Sequence, residues 1–223
     1  MTVRAIFFDL DDTLCDTTGT RSERTQRCLA RLRRDHPDVN PEKFVERVLA
    51  PTGTPRGIRG VPRVVDDLGL ADSPGGRDAN RMWFFVDAYD LLHPLPGVRE
   101  TLPAMSDRYS LSIVTNGEDD IQRGKLRHLA LGEHFRHLVI SGNVGYEKPD
   151  PRIFEHALAL AGVPASEALV VGDRLETDVV GAKAAGIRAV WFDHWNDEPR
   201  ATDPRPDAVI TAFEQLPGVL ASM

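Results

Sequence analysis

Two textures of apolar and polar positions divide the chain. Near its start, RAIFF (residues 4–8) is a short apolar run of residues that suit a buried strand, and it ends abruptly in acids. From Pro96 onward, short apolar runs alternate with helical patterns, as where strands and crossover helices build a parallel sheet. Strands are predicted over 111–114, 138–140, 169–171, 187–192 and 208–211. Helices are predicted over 119–130, 151–161 and 176–185, with a short one at the end. Asp150 and Pro151 make a helix cap and first helical residue, and Gly162 and Gly186 mark stops.

Between residues 16 and 94 the pattern is helical, with no convincing strand. Cys28, Leu29 and Leu32 share a face of a first helix within 20–34. Phe44, Val45, Val48 and Leu49 give a second face, and Val64, Val65 and Leu68 a shorter third. Met82, Phe85, Val86 and Tyr89 fall at i, i+3, i+4 and i+7 and predict a fourth. PTGTPRG (51–57) and DSPGG (72–76) break the run. The expected organisation is therefore a parallel α/β domain formed by 1–15 and 95–223, interrupted by a helical insertion over 16–94.

Composition narrows the function classes. A length of 223 residues, 41% hydrophobic and 27% charged, is enough for a sizeable core of an ordinary globular kind. The net charge of -7 argues against a nucleic-acid polymer as partner, so attraction of an anionic ligand has to be local. Cys15 and Cys28 supply neither a disulfide framework nor a zinc set, and Cys28 reads as a small buried hydrophobe. No run reaches membrane-spanning length and the start lacks a secretory pattern, so the expectation is a cytoplasmic protein with no membrane partner. Basic residues are mostly arginine, with lysine only at Lys43, Lys125, Lys148 and Lys183.

The candidate chemistry lies at the strand ends. FFDLDDTL (7–14) follows the first strand with Asp9, Asp11 and Asp12, and alternation in an extended chain puts Asp9 and Asp11 on one side. The second strand ends in Thr115, Asn116 and Gly117. The loop after the third carries Glu147, Lys148 and Pro149, and the fourth ends in Asp173, with Asp178 five residues on. In open α/β sheets, ligands bind beyond the carboxyl ends of the strands, so these groups converge at one edge. Taken singly, each has a plain alternative as a turn, a solvated lysine or a helix cap; their joint occurrence in this order carries the functional reading.

DLDDT (9–13), VTNG (114–117), EKPDP (147–151) and VGDRLETD (171–178) together resemble the haloacid dehalogenase superfamily of aspartate-nucleophile phosphohydrolases. The resemblance spans the chain. It implies a Rossmann-like, three-layer α/β core with a parallel sheet, and an inserted α-helical cap of the superfamily's type 1. TNGEDD and GDRLETD are most similar to members of the N-acylneuraminate-9-phosphatase-like and pyrimidine-nucleotidase-like groups. By the same resemblance, Asp9 attacks phosphorus as a covalent nucleophile. Asp11 protonates the leaving alkoxide and later deprotonates water, which requires it to start neutral, beside acids that raise its pKa. The Thr115 hydroxyl and the amide of Asn116 hold phosphoryl oxygens, and Lys148 neutralises nucleophile and phosphate.

Charge arithmetic asks for a metal. Two unit charges at 4 Å interact by about 4 kcal/mol at an effective dielectric near 20, and an ionised Asp9 facing a phosphate dianion meets roughly twice that. Lys148 alone does not offset it; a hard divalent cation, Mg²⁺ by preference, does. The resemblance assigns Asp9 and Asp173 as side-chain ligands and Asp11 through its backbone carbonyl. Asp178 stands as an outer partner or occasional ligand; Asp12 and Thr13 are expected to shape the turn, with hydrogen bonding to the catalytic carboxylates a second role open to Thr13. The expected activity is Mg²⁺-dependent hydrolysis of a small phosphorylated metabolite, a nucleotidase or acyl-sugar phosphatase being the narrower form. Phosphomutases and phosphotransferases use the same core. 2-Haloacid dehalogenases share the aspartate and lysine but need neither metal nor an acid two residues on. Receiver-type signalling modules are shorter and lack a cap. Arg21, Arg56, Arg59, Asn80, Arg81 and Trp83 of the insertion are possible substrate selectors, and 16–20 and 93–97 its expected hinges.

Overall fold

The computed structural model describes residues 2–53, 56–197 and 205–223. The chain forms two compact units, one made of 1–16 with 93–223 and the other of 17–92. Strand β1 (Ala5–Phe8) opens the first unit, and all four of its residues are fully buried. That explains the unbroken apolar run: a strand covered on both faces has no polar alternation.

The second unit contains α1 (Arg21–Asp35), α2 (Pro41–Leu49), α3 (Val61–Asp67) and α4 (Pro74–Trp83). Asn40 caps α2 by accepting from the Lys43 amide, and Ser73 caps α4 by accepting from the Gly76 amide. DSPGG is thus the start of a helix as well as a break. Gly76 is required there, because a Cβ would lie 1.8 Å from the Leu70 carbonyl oxygen. The helical face expected over Met82, Phe85, Val86 and Tyr89 does not form. α4 stops at Trp83, Phe85 and Asp87 take positive φ, and Tyr89–Leu91 is a single 3₁₀ turn. The cause is packing: Phe85 is buried beneath the Arg24 guanidinium, 3.9 Å from its ring centroid, while Arg24 also donates to the Trp83 carbonyl. These contacts draw the chain out of the helix, so the 3.6-residue spacing there is coincidental.

The first unit resumes with α5 (Val98–Ser106), β2 (Ser110–Thr115), α6 (Asp119–Leu129), β3 (His137–Ile140), α7 (Ser141–Val144), α8 (Pro151–Ala161), β4 (Ala168–Gly172), α9 (Val180–Ala184), β5 (Arg188–Phe192), β6 (Ala208–Ile210) and α10 (Leu216–Ser222). α5 was not singled out by the sequence, since Pro103 interrupts a pattern whose buried positions are Val98, Leu102 and Met105. The helix expected over 176–185 begins instead as a π-helical turn, Leu175–Val179, ahead of α9. α8 has the predicted cap: the Asp150 carboxylate accepts from the Arg152 amide, and Gly162 ends the helix at positive φ.

Among the described residues, the five strand pairings are all parallel, in the order β3-β2-β1-β4-β5-β6. This is the α/β architecture that the pattern predicted. Successive connections run one way from β1 to β2 and β3, and the other way from β4 to β6. The reversal lies between β1 and β4, where such sheets open a crevice. The sheet is held on one face by Phe7, Val114, Val170, Phe154 and Trp191. The rings of Phe8, Phe135, Phe192 and Phe213 meet in a second cluster at centroid distances of 5.9–6.1 Å. Burying each such side chain contributes about 2 kcal/mol, and together they fix the strand from which Asp9 emerges. Among the described residues, no helix is long and apolar enough to cross a membrane.

Candidate active site

Phe8 pairs in register with Ile113 of β2 and Val171 of β4, so the chain leaves these three strands at one level. Asp9 follows directly, its amide donating to the Val171 carbonyl at 3.0 Å. The chain then turns: Asp12 takes a positive φ of 58° and its amide donates to the Cys15 carbonyl. The His194 Nε2 lies 2.7 Å from the Asp12 carbonyl oxygen, a further tie on this turn.

Lys148 is the centre of the site. Its Nζ lies 2.7 Å from Asp9 Oδ1 and 2.7 Å from Asp178 Oδ1, with all three residues buried. Its backbone is clamped by Asn116, whose side-chain amide donates to the Lys148 carbonyl at 3.0 Å and accepts from the Lys148 N–H at 2.8 Å. Asp178 is fixed from the other side by the Arg174 amide, which donates to Oδ2 at 3.0 Å. The π-helical turn carries this aspartate, and such turns are frequent at functional sites. Gly172 makes room for it, since a Cβ there would lie 2.3 Å from Asp178 Cγ. Asp173 is held by the Thr13 hydroxyl at 3.0 Å, and its carbonyl accepts from Trp191 Nε1 at 2.9 Å.

Electrostatics follow from burial. Desolvation pushes the Asp9 carboxyl up to about 6; Lys148 opposes the rise and Asp178 adds to it. Burial also disfavours the Lys148 ammonium, but Asp178 and then Asp9 outweigh it and hold the lysine charged, with its pKa raised. Carboxylate oxygens of Asp9, Asp173 and Asp178 lie within 4.8 Å of one another, all buried. Three acids against one lysine leave a surplus of two negative charges when all are ionised. An all-oxygen donor set with surplus negative charge fits a hard divalent cation. Both Asp178 oxygens already accept hydrogen bonds, which fits an outer position better than a direct ligand.

A second group surrounds Asp11. Although Asp9 and Asp11 are two residues apart, their carboxylates contact different cations. Lys125 Nζ reaches both Asp11 oxygens, at 2.6 and 2.8 Å, and Gln122 Nε2 donates to Oδ2 at 2.9 Å. A lysine and an amide are thus among the direct contacts of Asp11. Gln122 also reaches the Thr115 hydroxyl at 2.8 Å and the Asn116 carbonyl at 2.9 Å. Thus Asp9, Lys148, Asp173, Asp178 and Thr13 form one cluster, and Asp11 and Thr115 another, with Asn116 bonded to both.

Lys125 and Gln122 were not among the site residues expected from the sequence. A signal existed: Gln122, Lys125, Leu126 and Leu129 form the buried face of α6, so two polar residues occupy an apolar stripe. Lys125 is also one of only four lysines. Cys28 is buried as expected, and burial raises its thiol to about 12.

A family model for haloacid dehalogenase-like hydrolases matches residues 3–186. The chain is 32% identical over 198 residues to glyceraldehyde 3-phosphate phosphatase of Pyrococcus abyssi, covering 86% of this chain and 82% of that protein. It is 29% identical over 235 residues to mouse N-acylneuraminate-9-phosphatase, covering 99% and 95%. The crystal structure of a HAD phosphatase from Thermococcus onnurineus superposes with a TM-score of 0.73 at 27% identity, over 98% of both chains.

Proposed function

The chain belongs to the haloacid dehalogenase-like hydrolase family, and on that premise we propose that it is a Mg²⁺-dependent phosphatase that hydrolyses a small phosphomonoester through an aspartyl-phosphate on Asp9. The observation that carries the reading is the buried Asp9–Lys148–Asp178 line with Asp173 beside it, at the point where the strand order reverses.

An Asp9 oxygen attacks phosphorus, the P–O ester bond breaks, and its electron pair leaves on the alkoxide oxygen. Asp11, entering as the carboxylic acid, gives that oxygen its proton. In the second half-reaction, ionised Asp11 takes a proton from water. The water oxygen bonds to phosphorus, the bond to Asp9 breaks, and phosphate leaves with both aspartates restored. Lys148 keeps the nucleophile oriented and offsets the incoming charge, while the Thr115 hydroxyl and the Asn116 amide engage the phosphoryl oxygens. Asp9 and Asp173 would hold the metal together with the Asp11 carbonyl, with Asp178 and Thr13 bracing them, and the metal would supply charge neutralisation of the phosphoryl group.

The helical unit over 17–92 is read as the type 1 cap. Likeness along nearly the whole chain to an N-acylneuraminate-9-phosphatase and to a glyceraldehyde 3-phosphate phosphatase puts acyl-sugar phosphates and triose phosphates among the candidate substrates. The test is phosphate release from nucleotides, sugar phosphates, acyl-sugar phosphates and phosphoglycolate with Mg²⁺ present. Release from one class supports the reading, and release from none overturns it.

A further inference from the structure

The arrangement behind Asp11 goes beyond the roles assigned above. Gln122 and Lys125 stand one turn apart on α6, both buried; both direct their polar ends at Asp11 after β1, and Gln122 also at the end of β2. Three donor contacts converge on one carboxylate: Lys125 on each oxygen and Gln122 on Oδ2. The same Gln122 nitrogen touches the Thr115 hydroxyl and the Asn116 carbonyl, while its Oε1 is buried without a hydrogen-bond partner. Reversing the amide would set Oε1 against the Asp11 carboxylate, so the acid dictates which way the glutamine faces. A lysine and a glutamine kept only to fill a helix face would not require this convergence. Buried polar groups are normally satisfied, and the unmatched oxygen marks a side chain held in place for what its nitrogen does.

We propose that Lys125 and Gln122 are positioning residues for proton delivery to the leaving group: they fix the Asp11 carboxyl group in the orientation from which it reaches the departing oxygen. The proposal rests on the phosphatase reading. The proton still travels from Asp11 to the alkoxide and returns to Asp11 from water, so neither Lys125 nor Gln122 changes charge. A rotated Asp11 leaves Asp9 free to attack, but an alkoxide then departs without its proton.

That separation gives a readout which mere destabilisation does not. An alkyl phosphate needs the proton, whereas p-nitrophenyl phosphate releases a phenolate that departs without one. kcat/KM reports the step up to loss of the leaving group, free of the later hydrolysis. With Mg²⁺ present, Lys125→Met is expected to lower kcat/KM about 100-fold for the alkyl ester and less than about fivefold for p-nitrophenyl phosphate. Gln122→Leu is expected to show the same split at smaller size, and Lys125→Arg to recover part of the alkyl-ester rate. If Lys125→Met does not fold, Gln122→Leu and Lys125→Arg carry the test. Equal losses on both esters, or no loss, overturn the proposal while leaving the phosphatase reading intact. A parent enzyme that releases phosphate from neither ester overturns both.

Discussion

The Thr13 hydroxyl donates to Asp173 Oδ1 at 3.0 Å, joining two residues 160 positions apart. One follows β1 and the other follows β4, so the bond spans the crevice where the strand order reverses. It fixes a carboxylate whose neighbours are two further acids. Groups that orient metal ligands typically change metal affinity by 10–100-fold. Thr13→Val should therefore weaken Mg²⁺ binding about tenfold, read as a right shift of the Mg²⁺ dependence of the melting temperature. Asp173→Asn should abolish that dependence, and EDTA should silence the parent until Mg²⁺ is restored. A melting temperature indifferent to Mg²⁺ in the parent would remove the metal assignment.

Lys148 separates two buried carboxylates, and removing it leaves both without their cation. Loss of one partner from a buried ionic group costs about 3–5 kcal/mol. Lys148→Met should lose about that much in urea melts at neutral pH, with phosphate binding and kcat falling together. Replacing Asp178 by Asn in the same variant should return part of the stability. An unchanged kcat/KM in Lys148→Met would make the lysine structural only.

Asp9 has a pH signature of its own. Its carboxyl stands at about 6 in the fold against 3.8 for an ordinary aspartate. Between those values the folded chain holds a proton that the unfolded chain has released, so stability falls as pH rises from about 4 to about 6 and then levels off. Asn carries no such proton. In metal-free buffer, Asp9→Asn should be more stable than the parent at pH 7.5, by at most about 3 kcal/mol, and the gap should close near pH 4. Urea melts at the two pH values check this; a gap independent of pH would contradict it.

Gly172 leaves no space for a side chain beside Asp178. Gly172→Ala should push the carboxylate off Lys148, costing about 1–3 kcal/mol in the melt. Activity should fall by more than that loss of folded protein explains. A variant with parental stability and turnover would show that the Asp178–Lys148 contact is not needed.

The sequence made the catalytic scaffold legible because two physical signals coincide there. A strand buried on both faces reads as an unbroken apolar run, and each run breaks at a polar group. RAIFF into Asp9 and Leu169–Val171 into Asp173 are of this kind, and the Asp150–Pro151 cap fixed α8 to the residue. The fourth helical face failed because its ring contacts are tertiary: Phe85 is placed by Arg24, 61 residues away, and periodicity carries no trace of that. Lys125 and Gln122 were missed for a related reason. Polar residues inside an apolar stripe look like irregularities until the partner that satisfies them, here Asp11, is brought within 3 Å.

Every role assigned in the site depends on Asp9 forming the bond to phosphorus. The direct measurement is steady-state phosphate release by Asp9→Asn, with Mg²⁺ and a good leaving group, on protein whose cooperative melt shows it folded. The predicted result is a fall of at least about 1,000-fold, below what any loss of orientation alone would leave. Turnover within tenfold of the parent would contradict the account, because the carboxylate would then be dispensable to the reaction assigned to it.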